Sequence, residues 1–177
     1  EGLDRGVVLL GDLPECVAGL HPGVLDGGTF GGGVTADYGA TIAVGNGGMT
    51  TTTLTLNHGA RLKVSIGSDG KATPVNISNL ILKKKSGEVW EQYGPKYLKP
   101  VIEFTHSGLP DGVYFLGNVG SVTGDISNDV VLEGLNGVNS PRRQADGGKL
   151  FLIVGTGESV TCPEATFAVS SYQRTAN

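Results

Sequence analysis

Ala40-Thr41-Ile42-Ala43-Val44, then Gly45-Asn46-Gly47-Gly48, then Met49-Thr50-Thr51-Thr52-Thr53-Leu54-Thr55-Leu56: two short β-branched runs held apart by a glycine-rich turn decide how the rest of the chain reads. Runs of this length, rich in Thr, Ile and Val, suit strands better than helices. Asn-Gly between two such runs is the strongest short hairpin signal, because both residues accept the positive φ of a type I′ turn. The prediction is a hairpin turning at Asn46-Gly47.

The same rhythm continues outward. Arg61 to Ile66 alternates Leu62, Val64 and Ile66 against Arg61, Lys63 and Ser65, a half-buried strand with one wet face. Asn79 to Lys85 begins another strand, which turns at Ser86-Gly87 into Glu88 to Tyr93. Leu98 to Thr105 sets Leu98, Pro100, Ile102 and Phe104 on one face, and Pro100, having no N–H to donate, marks an edge strand or a bulge. Val113 to Leu116 and Asp129 to Leu132 are further candidates, and Val7 to Leu10 and Ala165 to Tyr172 extend the series towards the two ends. Leu150 to Val154 is apolar at every position, as expected of a central strand covered on both faces. No internal repeat is evident, and the sole helical candidate is a turn within Asn139 to Asp146. The expectation is an all-β chain of roughly ten strands with no significant helix. It takes the form of an antiparallel two-sheet sandwich of jelly-roll or Greek-key type, with a closed β-barrel as the alternative.

Thirty of the 177 residues are glycine, about 17% against a typical ~7%. Downstream of Ala40 they sit in turns. Upstream they cluster without evident strands, so residues 1–39 read as a Gly-rich irregular N-terminal arm of the same domain and residues 40–177 as the sandwich. Gly27, Gly28, Phe30, Gly31, Gly32 and Gly33 are the candidate assembly arm, placed to pack on a neighbouring subunit.

Charged residues make up 17% of the chain and the net charge is −4, which offers no field to gather nucleic acid. Lys83-Lys84-Lys85 and Arg142-Arg143 read as solvated strand ends. No apolar stretch approaches the ~18 residues of a membrane span, so no membrane insertion is expected, and no signal peptide is visible. The chain begins at Glu1 without Met, which reads as a processed or fragmentary start. Cys16 and Cys162 have no second Cys or close His to make a zinc or CxxC site. They either pair, closing a loop of more than 100 residues worth up to ~4.7 kcal/mol, or are two separately buried thiols.

Motifs carry little chemistry. Gly31 to Ala36 fits GxGxxA but precedes no helix, and Gly67 to Lys71 lacks the P-loop spacing. His21, His58 and His106 stand outside any recognisable triad setting. A sandwich glycosidase would need Glu88 or Glu91 within about 10 Å of Glu103. Gly124 to Asp129 reads as an Asx-rich turn rather than a Ca²⁺ loop. Asn76-Ile77-Ser78 is a glycosylation sequon. Trp90, Tyr93 and Tyr97, bracketing Gly94-Pro95, form the most suggestive cluster, an aromatic set suited to a sugar ring or a protein interface.

The composition resembles, in a general way, that of virion appendages, capsid decorations and bacterial surface-fibre subunits, a likeness of class that carries no residue across. The expected function is a non-enzymatic structural or attachment subunit of an extracellular or viral assembly, located outside the cell or on a virion surface. It would act by protein–protein contacts as a homo-oligomer or with other subunits, without cofactor, metal or catalytic residues. The alternatives are a glycan-binding β-sandwich module and, third, a sandwich-fold glycoside hydrolase.

Overall fold

The computed structural model describes residues 18–20, 24–86 and 94–156. In chain order its elements are β1 (Ala18–Leu20), β2 (Val24–Asp26), β3 (Gly28–Ala36), β4 (Thr41–Ala43), β5 (Met49–Leu56), β6 (Arg61–Ile66) and β7 (Val75–Leu82), then a single helical turn, α1 (Pro95–Leu98). After it come β8 (Val101–His106), β9 (Gly112–Thr123), β10 (Val131–Glu133), β11 (Arg142–Asp146) and β12 (Lys149–Val154). One sheet runs β10-β8-β6-β4-β2 and the other β1-β3-β5-β7-β9-β12-β11. From β2 to β10 each successive strand therefore falls in the opposite sheet, beside the strand laid down two elements earlier. The chain winds as a coil. Each turn adds one strand to each sheet, and the next turn stacks on it in parallel.

The alternation along Arg61–Ile66 shows why this closes a core. Leu62, Val64 and Ile66 are buried while Lys63 and Ser65 are exposed. Parallel register then places like positions over like: Leu25, Ile42, Leu62, Ile102 and Leu132 form one inward column of the five-stranded sheet. Val34, Leu54, Leu80 and Val122 form one in the seven-stranded sheet, with Ala36, Leu56 and Leu82 beside them. Both sets belong to a single apolar cluster, so the two sheets face each other across one core.

The all-β, two-sheet expectation stands, but its antiparallel form does not. Eight of the ten strand pairings are parallel, which replaces the jelly-roll or Greek-key path, and two sheets with separate edge strands replace a closed barrel. Asn46-Gly47 does not join a hairpin. Gly48 N–H donates to Gly45 O at 2.8 Å, and this turn carries the chain around a corner from β4 in one sheet to β5 in the other. Parallel neighbours need a crossover, and here the opposite wall of the coil supplies it. The two-residue hairpin lies elsewhere, at Gly147-Gly148, where Asp146 pairs with Lys149 and both glycines have positive φ (54° and 74°), as a type I′ turn requires.

An internal repeat is present after all. Asp37-Tyr38-Gly39-Ala40-Thr41-Ile42-Ala43-Val44 matches Asn57-His58-Gly59-Ala60-Arg61-Leu62-Lys63-Val64, and the two segments stack on each other. Unequal corners hide it, since the register partners Val24, Thr41, Arg61, Val101 and Val131 lie 17, 20, 40 and 30 residues apart.

The remaining differences follow from the coil. Gly28, Phe30 and Gly33 of β3 pair with Met49, Thr51 and Thr53 of β5, Gly31 and Gly32 lie at the register shift between them, and Gly27 N–H donates to Ala43 O at 2.7 Å, so these residues are held within the coil and not in an irregular arm. Arg142 to Asp146 is a strand rather than a helical turn because β12 pairs with it. The helical turn is α1, with proline at its start, where a missing N–H costs nothing. Pro100 neither lies on an edge strand nor makes a bulge. It is the buried corner just before β8, a strand paired on both sides by β6 and β10, and its carbonyl accepts from Val131 N. Leu150 to Val154 is a central strand, buried at all five positions. Val7 to Leu10, Glu88 to Tyr93 and Ala165 to Tyr172 lie outside the described residues.

The seven-stranded sheet also bends. Ser78 and Asn79 are both exposed between buried Ile77 and Leu80, as are Gly120 and Ser121 after buried Val119, and Thr52 with half-buried Thr53 holds the same place in β5. Two successive outward residues break the period-two alternation, so each strand turns there. Thr51, buried at this bend, donates its hydroxyl to Gly32 O at 2.8 Å.

Because each inward column is continuous, a gap in one rung is felt by its neighbours. Leu62→Ala is expected to cost about 2–5 kcal/mol, whereas Thr52→Ala, on the outer bend, stays within about 0.5 kcal/mol. Urea denaturation midpoints check both.

Candidate functional site

Three regions of the outer surface gather polar or aromatic side chains, and the stacking of rungs builds each of them. The first is a corner. Tyr38 and His58 occupy equivalent positions of successive rungs, and Tyr97 enters the same corner from the segment that precedes β8. The Tyr38 ring lies 5.5 Å from that of His58 and 6.5 Å from that of Tyr97, stacked on the latter. His58 Nδ1 is 3.1 Å from Tyr97 O and so donates to it. Gly59 is required here, since a Cβ at that position would lie 2.4 Å from the Tyr38 ring and its φ is +71°. Below the rings Asn57 Nδ2 donates to Asp37 Oδ1 at 2.5 Å. Of the aromatic set expected from sequence, Tyr97 is brought to this corner, while Trp90 and Tyr93 lie outside the described residues. Tyr38 and His58 were not legible as its companions, and the signal that would have found them is the 20-residue repeat.

The second region is the outer wall of the five-stranded sheet, which carries charge. Arg61 Nη1 reaches Glu133 Oε2 at 2.5 Å and Glu103 Oε2 at 3.1 Å, and Lys63 Nζ lies 3.3 Å from Glu103 Oε1. The hydrogen bond that Arg61 donates to Glu133 is the main reason its guanidinium is pushed further towards the charged form. Glu103 and Glu133 are register partners on adjacent strands, so two carboxylates share one arginine. Glu88 and Glu91, the partners a glycosidase reading required for Glu103, lie outside the described residues. His106, at the end of β8, donates from Nε2 to Gly134 O at 3.0 Å, while its buried Nδ1 has no hydrogen-bond partner among the described residues. His21 lies outside the described residues.

Next to that wall, the turn after β9 is the Asx-rich turn read from sequence. Asp125 accepts from Ser127 N, Asn128 N and Asn128 Nδ2, and Asp129 Oδ2 accepts from Asp125 N. Lys84 Nζ donates to Asp129 Oδ1 at 2.8 Å. Both carboxyls are held below the ordinary carboxylate range. For Asp129 the largest cause is the Lys84 hydrogen bond, followed by the Asp125 N–H; for Asp125 it is the Asn128 side chain, followed by the Ser127 N–H. Arg143 closes this end of the coil by donating to Ile126 O, Ser127 O and Val130 O, and burial lowers its pKa.

The third region is the outer face of the seven-stranded sheet from β3 to β9, and it is neutral. Those four strands contain no Asp, Glu, Lys or Arg. Outward positions stack into polar columns: Thr29, Thr50 and Asn76 with Asn118, and Gly33, Thr53, Asn79 and Ser121. Asn118 Nδ2 donates to Asn76 Oδ1 and Ser121 Oγ to Asn79 Oδ1, each at 2.8 Å. Asn76 of the sequon is thus one step of a ladder within the sheet. On the outer side of β9, upstream of Asn118, Phe115 is 43% exposed and its ring centroid lies 5.9 Å from that of Phe151, its partner on β12.

A groove of about 330 Å³ opens at the corner of Asp26, Gly45, Asn46 and Gly48. Among the described residues no cluster of three or more His, Cys, Asp or Glu is placed to hold a metal ion, and no helix is long and apolar enough to cross a membrane. Cys16 and Cys162 lie outside the described residues. Comparison of the chain with protein-family models, with curated proteins and with solved structures returned no match.

The Asp125–Asp129 turn makes stability depend on acid. A carboxyl whose folded pKa lies below its unfolded value stabilises the fold above the unfolded value, about 3.9, and that contribution is lost as pH falls through the folded pKa. The protein is therefore expected to lose stability as pH drops below about 4, and Asp129→Asn to lower the neutral-pH melting temperature while flattening the acid limb. Thermal melts between neutral and strongly acidic pH check this, and an acid limb unchanged in the variant would refute it.

Proposed function

We propose that this chain is a non-enzymatic structural or attachment module of an extracellular or viral assembly, acting through protein–protein contacts with further copies or other subunits. The observation that carries this reading is the coil itself, in which parallel rungs stack on one continuous core and present long walls of distinct chemistry, one charged and one neutral. Stacked-rung architectures hold extended surfaces rigidly, because each rung is supported by its neighbours. Low overall charge and a surface of Thr, Asn, Ser and Gly agree with a role in contact. The side-chain clusters described on these walls have structural partners: Glu103 and Glu133 neutralise Arg61, and Asp125 and Asp129 organise a turn.

Analytical ultracentrifugation over a range of protein concentrations tests the reading. Species larger than one chain, growing with concentration or present throughout, are expected. A lone monomer at every concentration would count decisively against assembly through copies of this chain.

A further inference from the structure

We infer that the outer face of β9, β12 and β11 is the seat of the chain's own C-terminal segment, with Ala165, Phe167 and Val169 laid over an apolar patch of Val113, Phe115, Phe151 and Ile153. The inference is independent of the assembly reading. It starts from β12, the strand between β9 and β11. Leu150, Leu152 and Val154 belong to the core, so Phe151 and Ile153, alternating with them, point outward. Register agrees: Phe151 stands between Phe115 and Gln144, and Ile153 between Val113 and Arg142.

Exposure on this face is uneven. Val113 and Phe115 are 46% and 43% exposed, two of the four large hydrophobic side chains most open to solvent among the described residues. Phe151 and Ile153, one strand over, are 7% and 1% exposed. Side chains stand roughly perpendicular to a sheet, so neighbours in it shield one another's flanks and leave the outer ends to water, as at Val113 and Phe115. An outward isoleucine with 1% of its surface left has atoms packed above it as well. A further layer therefore covers β12 and only partly covers β9.

The residues that follow β12 are the segment placed to form that layer. Val154 pairs with Gly112 at the margin of the patch, and Gly155 bends the chain there: its φ is +89°, its N–H donates to Asn139 O at 2.7 Å, and a Cβ would collide with Asp111. In the stretch 157–177, Ala165, Phe167 and Val169 alternate with Thr166, Ala168 and Ser170, which gives one apolar edge and one largely polar edge. The bridge is long enough. The six residues of β12 cover about 20 Å, and the eight residues 157–164 can span about 28 Å. Charge is complementary too, since Arg142 is exposed beside Ile153 and the bridge carries Glu158 and Glu164. Seating Phe167 and Val169 on the patch takes apolar surface on both sides out of water.

Photo-crosslinking of the whole chain tests this. Benzoylphenylalanine in place of Phe115 keeps an aromatic ring at the patch, and the same substitution at Tyr38 is the control. Irradiation of mixed light- and heavy-isotope chains, followed by digestion and mass spectrometry, is expected to join position 115 to peptides from 157–177 of the same chain, and position 38 to none of them. A crosslink from position 115 to the peptide carrying Trp90, to a second copy, or to nothing overturns the inference. Thermal melts give an independent measure. Phe167→Ala is expected to lower the melting temperature by roughly 4 °C or more. Combined with Phe115→Ala it loses less than the two single shifts together, because contacting residues are not additive, whereas combined with Tyr38→Ala the shifts add. A Phe167→Ala melt like that of the wild type, or strict additivity with Phe115→Ala, also overturns it.

Discussion

Each rung of this protein lies directly over the one before it, and the register that holds it there is set by burial. Ile42, Leu62 and Ile102 must all point inward, and a slip of one residue in any rung would turn its apolar side chains to water and its Thr, Lys or Glu inward. The backbone ladder and the apolar columns therefore specify the same register. Everything described on the surface is a consequence of it, because stacking that aligns leucine over isoleucine inside also aligns Asn118 with Asn76 and Glu133 with Glu103 outside.

That alignment explains why the polar groups of the walls satisfy one another. Glu103 and Glu133, side by side on adjacent strands, would repel were Arg61 not one rung away on the same wall. On the opposite face the same arrangement is solved without charge, by amides and hydroxyls that donate to the next rung. The corners follow the same logic. Tyr38 and His58 meet because they hold one position in consecutive turns, and Gly59 leaves the space into which the Tyr38 ring fits. At the end of the coil Arg143 takes up three carbonyls, and the β11–β12 hairpin brings antiparallel strands to a sheet that is otherwise parallel, so that the stack ends in a strand bearing Arg142 and Arg143, charge that discourages further pairing at an exposed edge.

Much of the local structure was legible. Alternation identified Arg61–Ile66, the apolar run identified Leu150–Val154 as a strand buried on both faces, and the Asx pattern identified the turn at Asp125–Asp129. The partners of the strands were not legible. Asn46-Gly47 satisfies every local condition for a hairpin, yet β4 pairs with β2 and β6 instead, since a turn tolerant of positive φ serves a corner between sheets as well as a reversal within one. The glycines of β3 looked too flexible to pair, and it is Thr51, Thr53 and their neighbours in β5 that hold them in the sheet. Repetition was obscured by the unequal lengths of the corners, above all by the 40-residue step from Arg61 to Val101. The aromatic corner was half visible for the same reason: Tyr97 stood out beside its sequence neighbours, but Tyr38 and His58 reach it only through stacking.

The sequence by itself determined that the chain is all-β, where many of its strands lie and which of their side chains face a core, because those properties depend on residues two apart along one strand. Only the tertiary structure decided that most strands run parallel in a coil, that the turns are corners, and that β3, β5, β7 and β9, which carry no formal charge, stand side by side in one sheet. The physical reason is that an inward-facing leucine lowers the free energy against any apolar partner, so local patterning states the need for burial without naming what supplies it. The partner is chosen by the register of whole rungs, tens of residues apart.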